Sequence, residues 1–446
     1  MALEVMGIGG YQEIGRHSTA IRVDDEVVIL DLGLHMENYV KYTEDEDIGT
    51  VTAKTARELT KVHAVPDLAH LGDWKEQVKA IVPSHAHLDH VGAIPFLAAA
   101  LPVPVIATPF TIEVIKALVE AQGVRLRNKL IRISPNSSFK VSERITAELI
   151  HVTHSTPQTA IIALHTPYGT VLYANDFKLD NAPVLGPKPN YARLRQLKGN
   201  VALLITNCLY AGHHARTPSE SIAKQLLKET LLETDTRGKA VIVTTFSSHM
   251  ARLKSILEFG RRMNRRVVFL GRSLHRYVHA AESVGLVDFT RHVGPIAFGE
   301  RARRALRKIS AQKERYLIVM TGHQGEPKSV LSRIANDDYP FAFSPGDIVV
   351  FSCKTIPAPV TLANRKVLET KLNDKGIRMF FDIHVSGHAA REDLRELIEM
   401  VKPDHIIPTH GEPQMLVALA DLARHVGYTP EQVHLIANGQ RLKIAE

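Results

Sequence analysis

Residues 84–90 read Ser-His-Ala-His-Leu-Asp-His and decide how this chain is interpreted, because they place four potential metal ligands within six positions. These ligands are His85, His87, Asp89 and His90. An apolar run at residues 80–82 precedes them and an apolar segment at residues 91–97 follows, which predicts a buried strand, a tight turn and a helix. Imidazoles and a carboxylate suit a divalent ion that takes nitrogen and oxygen ligands, zinc above all. We therefore predict a metal site at this turn, although any one of the 23 histidines taken alone is more often a surface or core residue.

The length and composition are those of a globular protein with more than one domain. A chain of 446 residues exceeds the size of one ordinary core, and its 45% hydrophobic and 23% charged residues do not suit a disordered chain. The N-terminus lacks a basic segment followed by an apolar one, and no run of about 18 apolar residues occurs, so we expect neither a signal peptide nor a membrane span. The two cysteines, Cys208 and Cys353, cannot build a disulfide framework, which favours a reducing, cytoplasmic location.

The charge of the chain is positive and clustered. The net charge of +8 favours a polyanionic partner, and dense basic runs lie at residues 261–266 and 301–308. Either run alone is explained equally well as the solvated face of a helix. An acidic run at residues 44–47 is expected in a surface loop. The charge is therefore compatible with nucleic-acid binding but does not establish it.

The pattern of predicted strands and helices changes twice along the chain. The first part shows short strands that alternate apolar and polar residues. From about residue 198, continuous apolar strands are each followed by a helical pattern, which predicts a doubly wound parallel sheet. The earlier character returns near residue 366, and residues 433–436 form the last predicted strand. The predicted domains are a first domain at residues 1–197, which resumes at residues 367–446, and an inserted domain at residues 198–366.

Five further residues with ligand-type side chains follow predicted strands, where the active site of an α/β protein lies. They are Asp31, His154, Asp176, His388 and His410. Each alone has an ordinary structural explanation, since an Asp after a strand often caps the next helix and His-Gly pairs occur in turns. Their joint occurrence with residues 84–90 indicates one composite site.

The ordered ligand positions resemble the motifs of the metallo-β-lactamase fold. The inserted domain and the late pair His388 and His410 resemble the nucleic-acid-cleaving β-CASP branch of that fold. Within the branch, the sequence is most similar to the ribonuclease J family, in particular its shorter archaeal members. The matching stretches are residues 9–16, 244–249, 271–273, 321–326 and 384–389. The resemblance covers essentially the whole chain and implies an α/β protein, an αββα sandwich with an inserted doubly wound parallel α/β domain.

The resemblance also implies two zinc ions in each subunit. The implied ligands are His85, His87 and His154 for the first ion, Asp89, His90 and His410 for the second, and Asp176 as a bridge between them. Asp31 would orient the ligand turn. Two such cations activate a water molecule and stabilise the attacking and leaving oxygens of an in-line displacement at phosphorus. Positive charge contributes most in the transition state, where the phosphate oxygens gain charge.

The family resemblance assigns two further roles. His388 would lie near the leaving ribose 3′-oxygen as a general acid or as a charge stabiliser; a histidine that merely packs in a glycine turn is the alternative. A second group would grip a 5′-terminal monophosphate through hydroxyls, backbone amides and a guanidinium. Its members are Ser247, Ser248, Arg272, His384, Ser386 and Gly387. Local caps in two turns are the alternative explanation for the serines.

Asn207 departs from the family pattern, in which an acidic residue supports the histidine at the position of His388. An Asn side chain can accept a hydrogen bond but carries no charge, so it stabilises an imidazolium less than a carboxylate does. We therefore expect reduced turnover or a more acidic pH optimum, with the metal site retained. An alignment displaced by a few residues would make Glu220 the nearest downstream acid instead.

The sequence thus favours a zinc-dependent ribonuclease that releases nucleotides from the 5′ end of single-stranded RNA and prefers 5′-monophosphate ends, with endonucleolytic cleavage left open. An RNA-binding protein with weakened or lost catalysis, supported by Asn207, and a DNA-directed nuclease of the same branch are the alternatives. Hydrolysis of small esters or thioesters fits the ligand turn alone but conflicts with the inserted domain. By resemblance we expect a homodimer, RNA-decay machinery as a partner, and no membrane association.

Overall fold

The computed structural model describes residues 1–43, 55–356 and 359–446, so the acidic run at residues 44–47 lies outside the described residues. The chain divides into two compact units. The first unit comprises Met1–Asn181, Pro187–Thr217 and Gly387–Glu446. The second unit comprises Ala182–Gly186 and Pro218–Ser386.

The described elements are as follows in chain order. The strands are β1 (Leu3–Gly9), β2 (Ser18–Val23), β3 (Glu26–Leu30), β4 (Val78–Val82), β5 (Val105–Ala107), β6 (Leu130–Arg132), β7 (Ser137–Lys140), β8 (Thr146–His151), β9 (Ala160–Thr166), β10 (Gly169–Ala174), β11 (Val201–Asn207), β12 (Val241–Thr244), β13 (Arg266–Leu270), β14 (Tyr316–Met320), β15 (Ile348–Phe351), β16 (Arg378–Phe380), β17 (His405–Thr409) and β18 (Arg441–Ala445). The α-helices are α1 (Met36–Thr43), α2 (Ala56–Lys61), α3 (Leu88–Val91), α4 (Ile94–Leu97), α5 (Pro109–Ala121), α6 (Tyr191–Gln196), α7 (Glu220–Leu232), α8 (Met250–Arg262), α9 (Arg272–Ser283), α10 (Thr290–Val293), α11 (Glu300–Ser310), α12 (Val330–Ala335), α13 (Pro359–Asp374), α14 (Arg391–Val401) and α15 (Pro413–His425). Short 3-10 helices lie at Leu68–Gln77, Ala98–Ala100, Lys313–Arg315 and Pro430–Gln432.

The first unit is a sandwich built on two sheets in the described part of the chain. Their strand orders are β18-β1-β2-β3-β4-β5-β6 and β17-β11-β10-β9-β8-β7. One core cluster lies between the sheets and joins Val28 of the first to Leu149 and Ile205 of the second. A second cluster packs α6, α14 and α15 on the outer face of the second sheet, and α5 packs on β5 and β6 of the first. This arrangement confirms the predicted αββα sandwich.

Parallel pairing brings the ends of several strands of this sandwich to common edges. In the first sheet, β3 pairs in parallel with β4, so Asp31 and Ser84 follow neighbouring strand ends. In the second sheet, β11 pairs in parallel with both β10 and β17, so Asp176, Asn207 and His410 lie at the carboxyl ends of three adjacent strands. Side chains that are far apart in sequence are therefore placed at the strand ends where α/β proteins build their sites.

The second unit contains the predicted doubly wound parallel sheet. Its strand order is β13-β14-β12-β15-β16, and every neighbouring pair is parallel. The strands β12, β14 and β15 are buried along their whole length, as expected where helices cover both faces of a sheet. No helix among the described residues is long and apolar enough to cross a bilayer.

The predicted domain boundaries differ from the units that the structure contains. The inserted domain was expected at residues 198–366, whereas the second unit's main segment is Pro218–Ser386. The early boundary is wrong because the apolar strand β11 pairs with β10 and β17 of the first unit. The late boundary is wrong because β16 pairs with β15 of the second unit. The predicted strand at residues 433–436 is also absent from the described elements, since Val433 makes only an isolated bridge to Ile406 and the last strand is β18.

A buried ion pair in the second unit joins α7 to α8. The guanidinium of Arg252, which is fully buried, donates from Nε and Nη2 to the two carboxylate oxygens of Glu220 at 2.6 and 2.9 Å. Burial raises the pKa of the Glu220 carboxyl, but the charges of His249 and Arg252 outweigh it and hold that pKa well below its usual range. Glu220 is therefore an anion that pairs with Arg252 inside this unit. This structural role accounts for a buried acidic residue at position 220 without making it the partner of His388.

We expect Glu220→Gln to lower the free energy of unfolding by about 3–5 kcal/mol, because it leaves the charge of Arg252 buried without compensation. Chemical denaturation followed by circular dichroism measures this loss. The matched control is Glu258→Gln, which removes an exposed pair with Lys224 of 2.7 Å and is expected to cost at most about 1 kcal/mol. Equal, small losses for the two variants would contradict the assignment.

Candidate metal centre

The carboxylate of Asp31 is hydrogen-bonded to the ligand turn at residues 84–90. It accepts hydrogen bonds from the backbone nitrogen of Ser84 at 2.7 Å and from the hydroxyl of Tyr173 at 2.9 Å. It also accepts a hydrogen bond of 2.7 Å from Nδ1 of His90, and all of these groups are buried. Because Nδ1 of His90 is engaged in this way, its Nε2 is the nitrogen left to face a ligand. Asp31 is thus hydrogen-bonded to both Ser84 and His90, and the orienting role that the resemblance implies stays a prediction.

The first predicted ligand set converges. Ligand atoms of His85, His87, His154 and Asp176 all lie within 4.8 Å of one another. Nε2 of His85 and Nε2 of His154 lie 3.5 and 3.6 Å from Oδ2 of Asp176. Nδ1 of His154 donates 2.7 Å to the carbonyl oxygen of Gly387, which directs Nε2 of the same ring into the cluster.

The three imidazoles of this set are neutral in the folded protein. Burial lowers the pKa of His87 to about 4 and lowers the pKa values of His85 and His154 well below their usual range. Only the neutral form of an imidazole offers a lone pair to a metal. The set is therefore in its ligand form at neutral pH.

The second predicted ligand set also converges near Asp176. Ligand atoms of Asp89, His90 and His410 lie within 4.8 Å of one another. Nε2 of His90 is 3.4 Å from Oδ2 of Asp176, and Nδ1 of His410 is 2.9 Å from Oδ1 of the same carboxylate. Asp176 thus lies close to members of both sets, and its role as a bridging ligand stays a prediction.

Buried polar atoms without a hydrogen-bond partner among the described residues indicate whether a cation fits this site. Nε2 of His90 and Oδ2 of Asp176 are buried, and neither has a hydrogen-bond partner within the described ranges. Buried polar groups without a partner are costly, and nitrogen and oxygen donors with this spacing are those that divalent metals take. The residues fit a metal, with both ligand sets in reach of the same carboxylate.

His388 lies beside the cluster, and Asn207 is the last residue of β11. Nδ1 of His388 is 3.6 Å from Oδ1 of Asp176, and burial lowers the pKa of the His388 imidazole. Asn207 is fully buried at the end of β11 and donates from Nδ2 to the backbone oxygen of Asn175. Its Oδ1 has no hydrogen-bond partner in the described part of the chain, so Asn207 does not accept the hydrogen bond from His388 that the sequence allowed. The expected effect on turnover stays a prediction.

The residues predicted to grip a 5′-phosphate lie in the second unit, except for Gly387, which begins the last segment of the first unit. Ser247 follows β12, and its hydroxyl lies 2.8 Å from that of Ser273 in α9. Arg272 begins α9, so the positive end of a helix dipole lies next to these hydroxyls. The ring of Phe246 lies 6.4 Å from that of His384. Ser248 follows Ser247 directly, and Ser386 is the last residue of the unit.

One further histidine, which no sequence motif indicates, lies with the second set of ligand-type side chains. His17 precedes β2 and is fully buried, and its ring lies 4.5 Å from that of His90 and 4.2 Å from that of His410. Its ligand atom lies within 4.8 Å of those of Asp89, His90 and His410. No local spacing connects it to the ligand turn; its place directly after the glycine-rich stretch at residues 9–16 was the available signal.

Comparison with known proteins shows the family to which these domains belong. Residues 13–235 match the Metallo-beta-lactamase superfamily, residues 238–370 match the family "Ribonuclease J, beta-CASP domain", and residues 377–435 match the "Zn-dependent metallo-hydrolase RNA specificity domain". The chain is 42% identical to Ribonuclease J of Methanocaldococcus jannaschii over 99% of each chain, and 38% identical to Ribonuclease J of Pyrococcus abyssi over 99% of this chain and 97% of that one.

This chain belongs to the ribonuclease J family. Ribonuclease J of Sinorhizobium meliloti is 34% identical over 85% of this chain and 66% of its own length. A crystal structure of a protein of unknown function from Enterococcus faecalis shares the fold, with a TM-score of 0.65 at 17% identity over 99% of this chain and all of that one. Family membership and the converging ligand sets identify a metal-dependent nuclease on the metallo-β-lactamase hydrolase fold.

We expect Asp31→Asn to weaken metal retention by about 10- to 100-fold, because the ligand turn and His90 lose their orienting carboxylate. Asp31 has a φ of 59°, a left-handed conformation that Asn also tolerates, so the backbone need not change. Metal content after dialysis against graded chelator measures the effect. Asp347→Asn is the control, since it removes an equally buried carboxylate from the second unit and is expected to leave metal retention unchanged. Matching retention curves would contradict the role of Asp31.

We expect Asn207→Asp to lower the free energy of unfolding by about 1–3 kcal/mol, because a carboxylate oxygen would replace the amide that donates to the backbone oxygen of Asn175. Thermal or chemical unfolding of the two proteins measures the difference. The same change at exposed Asn200 is expected to alter stability by no more than about 0.5 kcal/mol. An Asn207→Asp protein as stable as the parent would show that the buried amide is not needed as a donor.

Proposed function

We propose that this nuclease degrades single-stranded RNA from the 5′ end, prefers a 5′-monophosphate, and uses two zinc ions in each subunit. The observation that carries the proposal is that the buried carboxylate of Asp176 belongs to the first ligand set and lies 3.4 Å from His90 and 2.9 Å from His410 of the second. The family match to an RNA-specificity domain at residues 377–435 supports RNA as the substrate over DNA. Zinc is favoured because most of the predicted ligands are imidazoles.

The chemistry proposed at the centre is hydrolysis of a phosphodiester. When bound, the two cations would supply the positive charge that lowers the pKa of the attacking water and stabilises the phosphate oxygens in the transition state. Asp31 keeps His90 in the tautomer whose Nε2 faces the ligand cluster. His388, with Nδ1 3.6 Å from Asp176, is the group beside the cluster that would hold or donate a proton for the leaving 3′-oxygen.

The carboxyl edge of the parallel sheet in the second unit supports the 5′-monophosphate preference. Ser247 and Ser273 offer hydroxyls 2.8 Å apart at the beginning of α9, where backbone N–H groups and the helix dipole favour an anion. Arg272 adds a guanidinium whose geometry matches phosphate oxygens. A triphosphate or a 5′-hydroxyl would make a different set of contacts at such a site.

The basic runs support a polyanionic substrate to different degrees. In α11, Arg301, Arg304, Arg307 and Lys308 are exposed and form a solvated positive face. In the run at residues 261–266, by contrast, Arg265 is buried and donates to backbone oxygens, including that of Tyr316 at 3.0 Å. We propose that α11 contributes to the affinity for the RNA backbone, whereas part of the other run is structural.

An RNA-binding protein without catalysis is the second candidate function, because Asn207 replaces the acidic residue of the family pattern. The complete ligand sets favour the enzyme. We further propose a cytoplasmic location, which agrees with two buried cysteines that form no disulfide. The homodimer and the association with RNA-decay machinery are also proposals, and they rest on the family resemblance.

The 5′-end preference is tested with one RNA prepared with a monophosphate, a triphosphate or a hydroxyl at its 5′ end. We expect the monophosphate form to be degraded at least about tenfold faster, equivalent to about 1.4 kcal/mol of phosphate contacts, with mononucleotides as the products. Ser247→Ala is expected to reduce this preference, whereas Ser283→Ala, which removes a hydroxyl from the other end of α9, should not. Equal rates on all three RNAs would contradict the monophosphate site.

His388→Ala separates the two candidate functions in the same assay. We expect a rate loss of about 10²- to 10⁴-fold with RNA binding and metal content retained, as for removal of a general acid. Internal fragments instead of mononucleotides would contradict the exonuclease assignment. Metal-loaded parent protein that binds RNA but releases no product under any condition would favour the binding function.

A further inference from the structure

We propose that His17 is an additional ligand of the metal that Asp89, His90 and His410 are positioned to hold. The inference rests on the proposed dinuclear site and adds a residue to it. His17 is fully buried, and neither of its ring nitrogens has a hydrogen-bond partner among the described residues. An imidazole that is buried without a partner is costly, and the cost is removed if one nitrogen gives its lone pair to a cation.

The distances around Asp89 favour ligation by His17 over a hydrogen bond. Nε2 of His17 lies 3.7 Å from Oδ2 of Asp89, which is too long for a hydrogen bond. Nε2 of His90, a predicted ligand, lies at the same 3.7 Å from the same oxygen. Ligand atoms in tetrahedral contact with zinc are separated by about 3.4 Å, given bonds of about 2.0–2.2 Å. Nε2 of His17 and Nε2 of His90 are therefore equally distant from the carboxylate of Asp89.

The backbone holds His17 to both neighbouring parts of the cluster. Its N–H donates 2.9 Å to the carbonyl oxygen of Asp89, and its own carbonyl oxygen accepts 3.0 Å from the N–H of Gly33. The carbonyl oxygen of Gly10 accepts 2.9 Å from the N–H of His410. The loop that ends at His17 is thus hydrogen-bonded to the backbone of two predicted ligands, which fixes the imidazole without help from its own nitrogens.

Gly10 makes room for this ring. Its φ is 86°, and a Cβ atom at this position would lie 2.3 Å from Nδ1 of His17. Any other residue would push the imidazole away from its place beside His90 and His410. The absence of a side chain at Gly10 therefore leaves the space that the imidazole of His17 occupies.

The consequence is a metal position with one more nitrogen donor than the family resemblance implies. Its protein ligands would be Asp89, His90, His410, Asp176 and His17. A hydrogen-bonding role for His17 toward Asp89 is the alternative outcome, and it differs in a measurable way. In that case His17 would approach the carboxylate oxygen, and the coordination number of the metal would not depend on it.

The direct test is a crystal structure of the zinc-loaded protein, with the ions located by anomalous scattering. We expect a ring nitrogen of His17 at about 2.0–2.1 Å from the ion bound by Asp89 and His90. Two bound ions with both His17 nitrogens beyond about 3 Å would overturn this inference alone. A chain that binds a single ion, held by His85, His87 and His154, would overturn both the inference and the proposed metal count.

A solution test uses cobalt in place of zinc and the variant His17→Asn. We expect the variant to keep the ion of the first ligand set, to lose the other at least tenfold more readily to a chelator, and to show a changed visible absorption of the cobalt that remains. His323→Asn is the matched control, because His323 is also buried with no hydrogen-bond partner for its ring nitrogens in the described residues but lies in the second unit. Cobalt spectra of His17→Asn identical to those of the parent would contradict ligation.

Discussion

The buried carboxylate of Asp176 is the group around which the catalytic half of this protein is arranged. Five imidazoles surround it: those of His85, His90, His154, His388 and His410, at 2.9–3.6 Å from its oxygens. Burial alone would raise the pKa of this carboxyl, but the imidazoles of His388, His410 and His90 outweigh that effect and hold the pKa well below its usual range. A buried charge of this kind is tolerated only when partners compensate it, and here the partners other than His388 are also predicted metal ligands.

The sandwich supplies those partners from strand ends that are distant in sequence. Parallel pairing of β10, β11 and β17 sets Asp176 and His410 at the ends of two strands that flank a third. The first sheet contributes Asp31 and the turn at residues 84–90 in the same manner. Asp31 and His410 both have left-handed backbone conformations, with φ of 59° and 56°. Strain of about 1–3 kcal/mol at such positions persists only where surrounding contacts fix them.

The sequence was informative where the chemistry is local. The spacing of the ligand-type side chains within residues 84–90 predicts a metal site by itself, whereas Asp176 and His410 follow predicted strands and are assigned as ligands by the family resemblance. His17 could not be found in this way, since one histidine among 23 carries no local signal and its relation to Asp89 exists only in three dimensions. The strand β11 was assigned to the wrong unit for a related reason. It is buried along its whole length, so its pattern fits a parallel strand in either sheet. The sequence pattern does not predict the strand β18, because β18 is a partly exposed edge strand that lacks an apolar run.

Nuclease activity in this proposal requires both ligand sets that lie around Asp176. The most direct test is a titration of zinc into chelator-stripped protein, with bound metal counted by native mass spectrometry and RNA cleavage recorded on the same samples. We expect chains with one zinc ion to be inactive or nearly so. We expect the cleavage activity to rise with the fraction of chains that hold two zinc ions. Full activity with one ion per chain, or cleavage that persists in excess chelator, would contradict it.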